Sequence, residues 1–101
     1  MSQHTINVAK DFSRYPSGRY VEDSRFSGQR FRNDFLIPSL RNYDCVIVEI
    51  DGTLGYGSSF LDEAFGELRR ANIFSPEQIR DKLIVRTENS ILKTEVSQFL
   101  S

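Results

Sequence analysis

The sequence feature that most constrains the fold is DCVIVEI, residues 44–50, a run that is almost entirely apolar and β-branched. A run of this length and composition is typical of a central strand that is covered on at least one face. A glycine-rich turn, DGTLGYG, follows at 51–57, and the amphipathic segment SSFLDEAFGELRRA follows at 58–71. A strand, a turn and a helix in this order predict one unit of a largely parallel sheet.

The other segments supply the remaining strands and helices of such a fold. Apolar residues recur at period two, or fill short β-branched runs, where we predict strands, and they recur at helical spacing where we predict helices. Ser27 and Ser75 stand where helix caps are expected. The predicted elements are an edge strand at 4–10, a strand at 82–87, and helices at 27–43, 75–81 and 89–100.

Two segments interrupt this pattern. Pro38 lies inside the helix at 27–43 and removes one backbone hydrogen bond, so we expect it to kink or split that helix. The stretch at 13–29 contains one proline, two glycines and four serines, which predicts a long loop with a short strand at 19–21. We therefore predict a single α/β domain over residues 1–101, with a small, mostly parallel sheet and helices packed on it.

Length and composition limit the class of protein. A chain of 101 residues is enough for one domain but not for two. No apolar run approaches the ~20 residues of a membrane span, and the first residues lack the apolar block of a signal peptide. The single cysteine, Cys45, lies in the apolar strand, so we expect a reduced thiol and a cytoplasmic protein.

The turn after the apolar strand contains the motif EIDGTLG. It resembles the start of phosphatases of the haloacid dehalogenase superfamily, which begin with DxDGT after a buried strand. That resemblance implies a nucleophilic aspartate, but this chain has Glu49 there, and the extra methylene displaces the carboxylate from in-line attack. The later acidic pair that would bind magnesium is also missing. A strand-ending turn at Asp51 and Gly52 accounts for the motif, because glycine accepts positive φ.

The two serines that follow the turn allow several interpretations. Free N–H groups at a helix start can bind an anion, but Asp62 and Glu63 in the first turn already use the positive end of the helix. In a second interpretation Ser59 caps the helix and Asp62 completes an approximate capping box. Neither interpretation explains why Ser58 and Ser59 follow a flexible glycine turn.

The segment IVEIDGTLGYGSSF resembles the STAS domain of sulfate transporters and anti-sigma factor antagonists. In that domain a buried strand ends in a turn whose serine opens an amphipathic helix, and in the antagonists a partner ATPase-type kinase phosphorylates this serine. An ungapped alignment places Ser59 on the phosphorylated serine and Ser58 on the residue before it. Gly57 and Phe60 differ from the residues that the antagonists usually carry there.

The chain is also similar to a STAS-like family of uncharacterised bacterial proteins. The shared motifs are SGQRFR at 27–32, LIPSL at 36–40 and DGTLGYGSSFLDEAFG at 51–66, and the resemblance covers about residues 12 to 100. Members of that family are often encoded beside histidine-kinase-type ATPases, or fused to them. The resemblance therefore implies a fold and a class of partner, but not a reaction.

Arginine and aromatic residues alternate through residues 12–32. RNA-binding surfaces use such alternation for phosphate contacts and base stacking. The rings could equally anchor the loop on the sheet, with the arginine stems packed beside them. In a further possibility the arginines lie near the serine turn and contact a phosphate or an acidic partner. The candidate anion contacts are Arg19, Arg25, Arg30 and Arg32.

The leading hypothesis is a non-enzymatic regulatory or adaptor domain, without catalytic residues, cofactor or metal, that binds a histidine-kinase-type ATPase. Ser59 and Ser58 are the candidate phosphate acceptors, and charge added there would repel an acidic partner. The alternative is a nucleic-acid-binding module that uses residues 12–32, and the third hypothesis is the phosphatase. The predicted partner contacts lie in the turn, with Tyr56 exposed, and in the first turns of the helix: Gly55, Tyr56, Gly57, Phe60, Asp62 and Glu63.

Overall fold

The computed structural model describes residues 2–101, which fold around a three-stranded sheet. Its strands are β1 (Gln3–Asn7), β2 (Cys45–Glu49) and β3 (Leu83–Arg86), and β2 lies in the centre. Both neighbours pair with β2 in parallel. The predicted parallel α/β arrangement, with the apolar run as the central strand, is confirmed.

Four helices accompany the sheet. Helix 28–42 and helix 58–70 each contain one wide π turn between two α-helical pieces. Two shorter helices, Pro76–Lys82 and Ser90–Leu100, flank β3, and a single π-helical segment, Val8–Phe12, follows β1. The pieces of helix 28–42 are Gly28–Phe31, Arg32–Leu36 and Ile37–Asn42, and those of helix 58–70 are Ser58–Leu61, Asp62–Gly66 and Glu67–Arg70.

One face of the sheet forms the core with the helices. Alternate residues of β2 and the residue after it, namely Val46, Val48 and Ile50, belong to the main core cluster, as do Leu61, Phe65 and Leu68 of helix 58–70. Because crossovers between parallel strands are right-handed as a rule, the consecutive strand order places both long helices on the same face. Packing against this face of the sheet explains why helix 58–70 has an apolar stripe.

The structure corrects four details of the prediction. Residue Ile84 of β3 is 44% exposed, so this strand is less buried than its apolar sequence suggests. Residues 19–21 form part of a turn and not a strand. β1 ends at Asn7, because the chain enters the π-helical segment at Val8. The apolar side predicted for the last helix includes Ile91 with Leu92 and Val96, but Ile91 is 73% exposed.

Helix 28–42 runs through Pro38, and the wide turn at Arg32–Leu36 directly precedes the α-helical piece that contains the proline. There the N–H of Ile37 donates to the carbonyl of Arg32, one residue further back than in an α-helix. The proline then occupies the first turn of the next α-helical piece, where a missing N–H costs little. Caps at Ser27 and Ser75 form as predicted, and Ser75 makes a complete capping box with Gln78.

The two long helices cross at Gly28, which lies against the backbone of helix 58–70. A Cβ atom at this position would overlap the carbonyl oxygen of Phe60 and would lie 3.1 Å from the amide nitrogen of Ala64. Close approach of two backbones is a main reason for glycine inside a helix. The crossing therefore requires the smallest residue at position 28.

Gly28→Ala tests this crossing against Gly66→Ala, which is also a glycine inside a helix. At Gly66 a Cβ would meet only the flexible side chains of Asp62 and Arg70, which can move. We expect Gly28→Ala to lower the free energy of unfolding by about 1–3 kcal/mol through overpacking. Gly66→Ala should change it by less than about 1 kcal/mol, because the gain in helix propensity offsets the displaced side chains. Urea unfolding measures both values, and equal effects would contradict the tight crossing.

Candidate partner-binding site

The turn at 51–57 lies at the carboxyl end of the central strand, where open α/β sheets bind their ligands. Two glycines shape it with φ in the left-handed region, Gly52 at 95° and Gly55 at 132°. The N–H of Leu54 donates to the carbonyl of Arg14 at 3.0 Å, which ties the turn to the long loop. The turn is thus exposed but held in one conformation.

Tyr56 lies half-buried, which corrects the prediction of an exposed ring. Its hydroxyl donates to the carbonyl of Ile50 at 2.6 Å, and its ring lies 5.6 Å from that of Phe60. Burial raises the pKa of the Tyr56 hydroxyl above its usual value, so it stays a neutral donor. Tyr56 therefore closes the turn onto the end of β2 and offers only part of its surface to a partner.

Helix 58–70 begins two residues before the start that a cap at Ser59 would give. Gly57 occupies the N-cap position with φ −77° and ψ 152°, and no side chain makes a capping hydrogen bond. Ser59 is therefore not the cap, and Asp62 does not complete a capping box. Ser58 and Ser59 are both exposed residues of the first helical turn.

Two of the predicted partner contacts lie in the interior. Phe60 is 1% exposed and belongs to the core cluster, and Glu63 is 6% exposed. The helix starts at Ser58, so positions 60 and 63 face inward together with Leu61 and Ala64. This placement removes both side chains from any surface that a partner could touch.

Glu63 is buried as an ion pair with Arg32 of helix 28–42. The guanidinium of Arg32 donates to the Glu63 carboxylate at 2.7 Å and to the Glu63 backbone carbonyl at 2.5 Å. At the π turn the N–H of Glu67 bonds to the Asp62 carbonyl, so it does not compete with Arg32 for the Glu63 carbonyl. Arg32 is itself only 8% exposed, so it is not the anion contact that the sequence suggested.

Asp62 lies at the centre of a second ion-pair group. Its carboxylate accepts from Arg19 of the long loop at 2.7 Å and from Arg70 at 2.8 Å. These two hydrogen bonds, the one from Arg70 being the stronger influence, hold the pKa of Asp62 below its usual value. The loop is thereby fixed to helix 58–70 one turn beyond the serines, and neither Arg19 nor Asp62 presents an unpaired charge.

Asp51 of the phosphatase-like motif bridges two strands. Its carboxylate accepts from the Thr87 hydroxyl and from the Glu88 N–H, the latter at 2.8 Å. Asp51 therefore joins the carboxyl ends of β2 and β3. Among residues 2–101, no group of three or more His, Cys, Asp or Glu side chains is placed to hold a metal ion.

The phenylalanines of the segment 12–32 pack against one another, whereas Tyr15 and Tyr20 are exposed. The ring of Phe12 lies between 5.2 and 5.5 Å from the rings of Phe26, Phe31 and Phe35. Arg25 and Arg30 lie over the Phe26 ring, at 5.6 and 5.7 Å. The interpretation in which the rings anchor the loop and the arginine stems pack beside them therefore matches the geometry.

Sequence reasoning missed a groove beside the turn. It has a volume of about 420 Å³, and its walls are the turn at 51–57 and the first residues of the last helix. Leu54 and Ile91 line opposite walls and are 74% and 73% exposed. One signal was present, since Leu54 is an apolar residue within a glycine turn, whereas the departure of Ile91 from the buried stripe of its helix is seen only in the fold.

Comparison with known proteins identifies a family. A protein family described as a STAS-like domain of unknown function (DUF4325) matches residues 27–92. Neither the curated proteins nor the solved structures contain a match to the chain. Each helix within residues 2–101 is too short or too polar to cross a membrane.

A double-mutant cycle tests the Asp51 bridge. Asp51→Ala should lower the free energy of unfolding by about 1–3 kcal/mol, because hydrogen bonds to a charged group contribute about this much. Thr87→Val should lose part of the same contribution, and the double variant should lose less than the sum of the two. Urea unfolding of the four proteins measures the coupling, and strictly additive losses would show that the residues do not interact.

The Asp62 group predicts a dependence of stability on pH. Because the folded pKa of Asp62 is lowered, its ion pairs stabilise the fold fully above the unfolded value of about 4. That contribution disappears as the pH falls through the lowered pKa. Asp62→Asn should therefore lower the free energy of unfolding by about 1 kcal/mol at pH 7, and by progressively less below about pH 4.

The control for this pH experiment is Asp34→Asn, which removes an exposed pair with Arg30 on a single helix. Pairs of this kind contribute about 0.3–0.5 kcal/mol, so the control should move stability little at any pH. Chemical unfolding between pH 2 and pH 7 gives both curves. If the free energies of unfolding of Asp62→Asn and the natural protein differed by the same amount at every pH in that range, the proposed role of the ion pairs would be contradicted.

Proposed function

The chain belongs to the family of STAS-like domains, and on that premise we propose that it is a non-enzymatic regulatory or adaptor domain. It binds a protein partner through the turn at 51–57 and the start of helix 58–70. Phosphorylation of Ser58 or Ser59 changes the affinity for that partner. The partner is a histidine-kinase-type ATPase, the class that the family resemblance implies.

The observation that carries this proposal is that Ser58 and Ser59 are exposed and that neither hydroxyl makes a capping hydrogen bond. Gly57 fills the N-cap position, and no side chain caps the helix. Ser58 and Ser59 are exposed, and at Gly57 just before them an added Cβ would meet nothing within 4 Å. A kinase can therefore approach the hydroxyls without displacing a structural hydrogen bond of the cap.

The turn that presents the serines is firmly held on both sides. Tyr56 closes it onto Ile50, and Asp51 bridges from its first residue to the end of β3. The turn therefore loses little conformational freedom when a partner binds it. Preorganisation of this kind favours binding, because less ordering entropy is lost.

The surroundings of the serines accept an added phosphate. Transfer of the γ-phosphoryl group of ATP to a serine oxygen leaves ADP, and the hydroxyl proton passes to a base of the kinase. The product carries a charge of about −1.5 to −2, which the free N–H groups of a helix start accommodate. Arg19, Arg70 and Arg32 already neutralise Asp62 and Glu63, so these carboxylates oppose the added charge only weakly.

Serine variants test the proposal. Immobilised natural protein, Ser58→Ala/Ser59→Ala and Ser59→Asp are compared in affinity capture with ATP present, and mass spectrometry identifies bound proteins and phosphorylated residues of the bait. We expect an ATPase to be retained, and phosphate on Ser58 or Ser59 to change its affinity at least tenfold. Ser59→Asp should shift the affinity in the same direction by a smaller factor. Ser59→Ala should change the free energy of unfolding by less than about 0.5 kcal/mol.

Ser90 supplies the matched control, because it is also an exposed first residue of a helix. Ser90→Ala should leave both phosphorylation and partner affinity unchanged. Phosphate found on Ser90 as readily as on Ser58 or Ser59 would mean that any exposed helix start is modified. Equal affinity of the phosphorylated and unmodified proteins would exclude the switch, whatever the partner.

A further inference from the structure

We infer that the groove between the turn at 51–57 and the start of helix 90–100 binds an extended, basic segment of a partner protein. One large apolar side chain of that segment lies between Leu54 and Ile91, and its lysine or arginine residues lie beside Asp51 and Glu95. This inference rests on the proposed function, because the turn is part of the same binding surface. It adds the chemistry of the partner, which the serines alone do not specify.

The apolar part of the inference rests on two exposed aliphatic side chains that line the same groove. Leu54 and Ile91 are 37 positions apart in sequence, yet both line it, and about three quarters of each side chain is exposed. Leu92 and the half-buried ring of Tyr56 continue the apolar lining towards the core. A single exposed leucine is common on protein surfaces. Two exposed aliphatic side chains that line the same concave surface form a binding site for an apolar side chain.

The charge of the groove selects the partner. Asp51 and Glu95 line it, and none of its lining residues is basic. Arg86 and Lys93 lie in the neighbouring depression beyond Asp51, where Glu49 and Glu88 accompany them. A basic segment is therefore attracted to the groove, and an acidic segment or a nucleic acid is repelled from it.

Both walls of the groove are fixed before any partner arrives. Asp51 bonds to Thr87 and Glu88, and the Thr87 hydroxyl in turn accepts from the N–H of Asn89. The Asn89 side chain then caps the last helix by accepting from Ile91 and Leu92. One chain of hydrogen bonds thus sets the spacing between the turn and the helix that carries Ile91.

A basic partner reverses the direction expected from the sequence for phosphorylation. The sequence suggested that phosphate beside acidic residues repels an acidic partner. The turn that lines the groove runs directly into Ser58 and Ser59. Negative charge added there increases the attraction for lysine and arginine, so phosphorylation should strengthen the binding of the basic segment.

A displayed library of random linear dodecapeptides is the probe, and it requires neither the ATPase nor ATP. The library is selected on the immobilised natural protein and, in parallel, on Leu54→Ser/Ile91→Ser. Peptides enriched only on the natural protein should combine a large apolar residue with two or more lysines or arginines. No enrichment over the variant, or enrichment of acidic peptides, would overturn the inference.

Titration of one enriched peptide by fluorescence anisotropy then locates the site. Leu54→Ser and Ile91→Ser should each weaken binding at least tenfold, and Glu95→Gln should weaken it severalfold at low salt. Ile73→Ser is the matched control, because Ile73 is an exposed aliphatic residue that does not line the groove. Melting curves confirm that each variant is folded. Equal loss in the Ile73 variant would mean that the peptide binds elsewhere.

The oligomeric state and the serine variants separate the remaining outcomes. A dimer that Leu54→Ser dissociates would make a second copy of the chain the occupant of the groove, and the inference would fail. Peptide binding that Ser59→Asp weakens would also contradict it. Peptide binding to a protein whose serines are never phosphorylated would reject the switch but support the groove, so the two proposals fail separately.

Discussion

The arrangement of the whole domain depends on one buried ion pair between its two long helices. Arg32 and Glu63 are each less than a tenth exposed, so Arg32 requires the Glu63 carboxylate, which also has Arg19 at 3.4 Å. Removing one partner of a buried pair typically costs about 3–5 kcal/mol, because the remaining charge stays uncompensated. The π turn of helix 58–70 strengthens this pairing, since it frees the Glu63 carbonyl for the same guanidinium.

The candidate site follows from this pairing. The crossing of the two helices fixes helix 58–70 against the sheet, and Arg19 then fastens the long loop to the same helix through Asp62. The loop in turn reaches the glycine turn through the carbonyl of Arg14. The side chains of Arg32 and Arg19, together with the backbone carbonyl of Arg14, thus connect the turn, helix 58–70 and the loop, and the serines are presented on the surface of this unit.

Features that neighbouring residues in the sequence determine were predictable, and features that depend on distant residues were not. The apolar run at 44–50, the stripe of helix 58–70 and the caps at Ser27 and Ser75 each follow from neighbouring residues. The burial of Glu63 did not, because its counter-charge comes from a residue 31 positions away. The cap at Gly57 was missed because serine is the commoner N-cap residue. Here the backbone geometry alone decides which residue occupies the N-cap position. The groove was missed because its walls are joined only by the folded sheet.

The tight crossing at Gly28 has a consequence for comparing sequences. In relatives that keep this packing, the position corresponding to Gly28 should tolerate no larger residue, whereas the arginine and glutamate beside it should be replaced only together. An apolar pair of matched volume could take their place, but a single replacement could not. These linked positions offer a way to sort related chains by packing, independently of the serine turn, and so to ask whether the turn varies while its support stays the same.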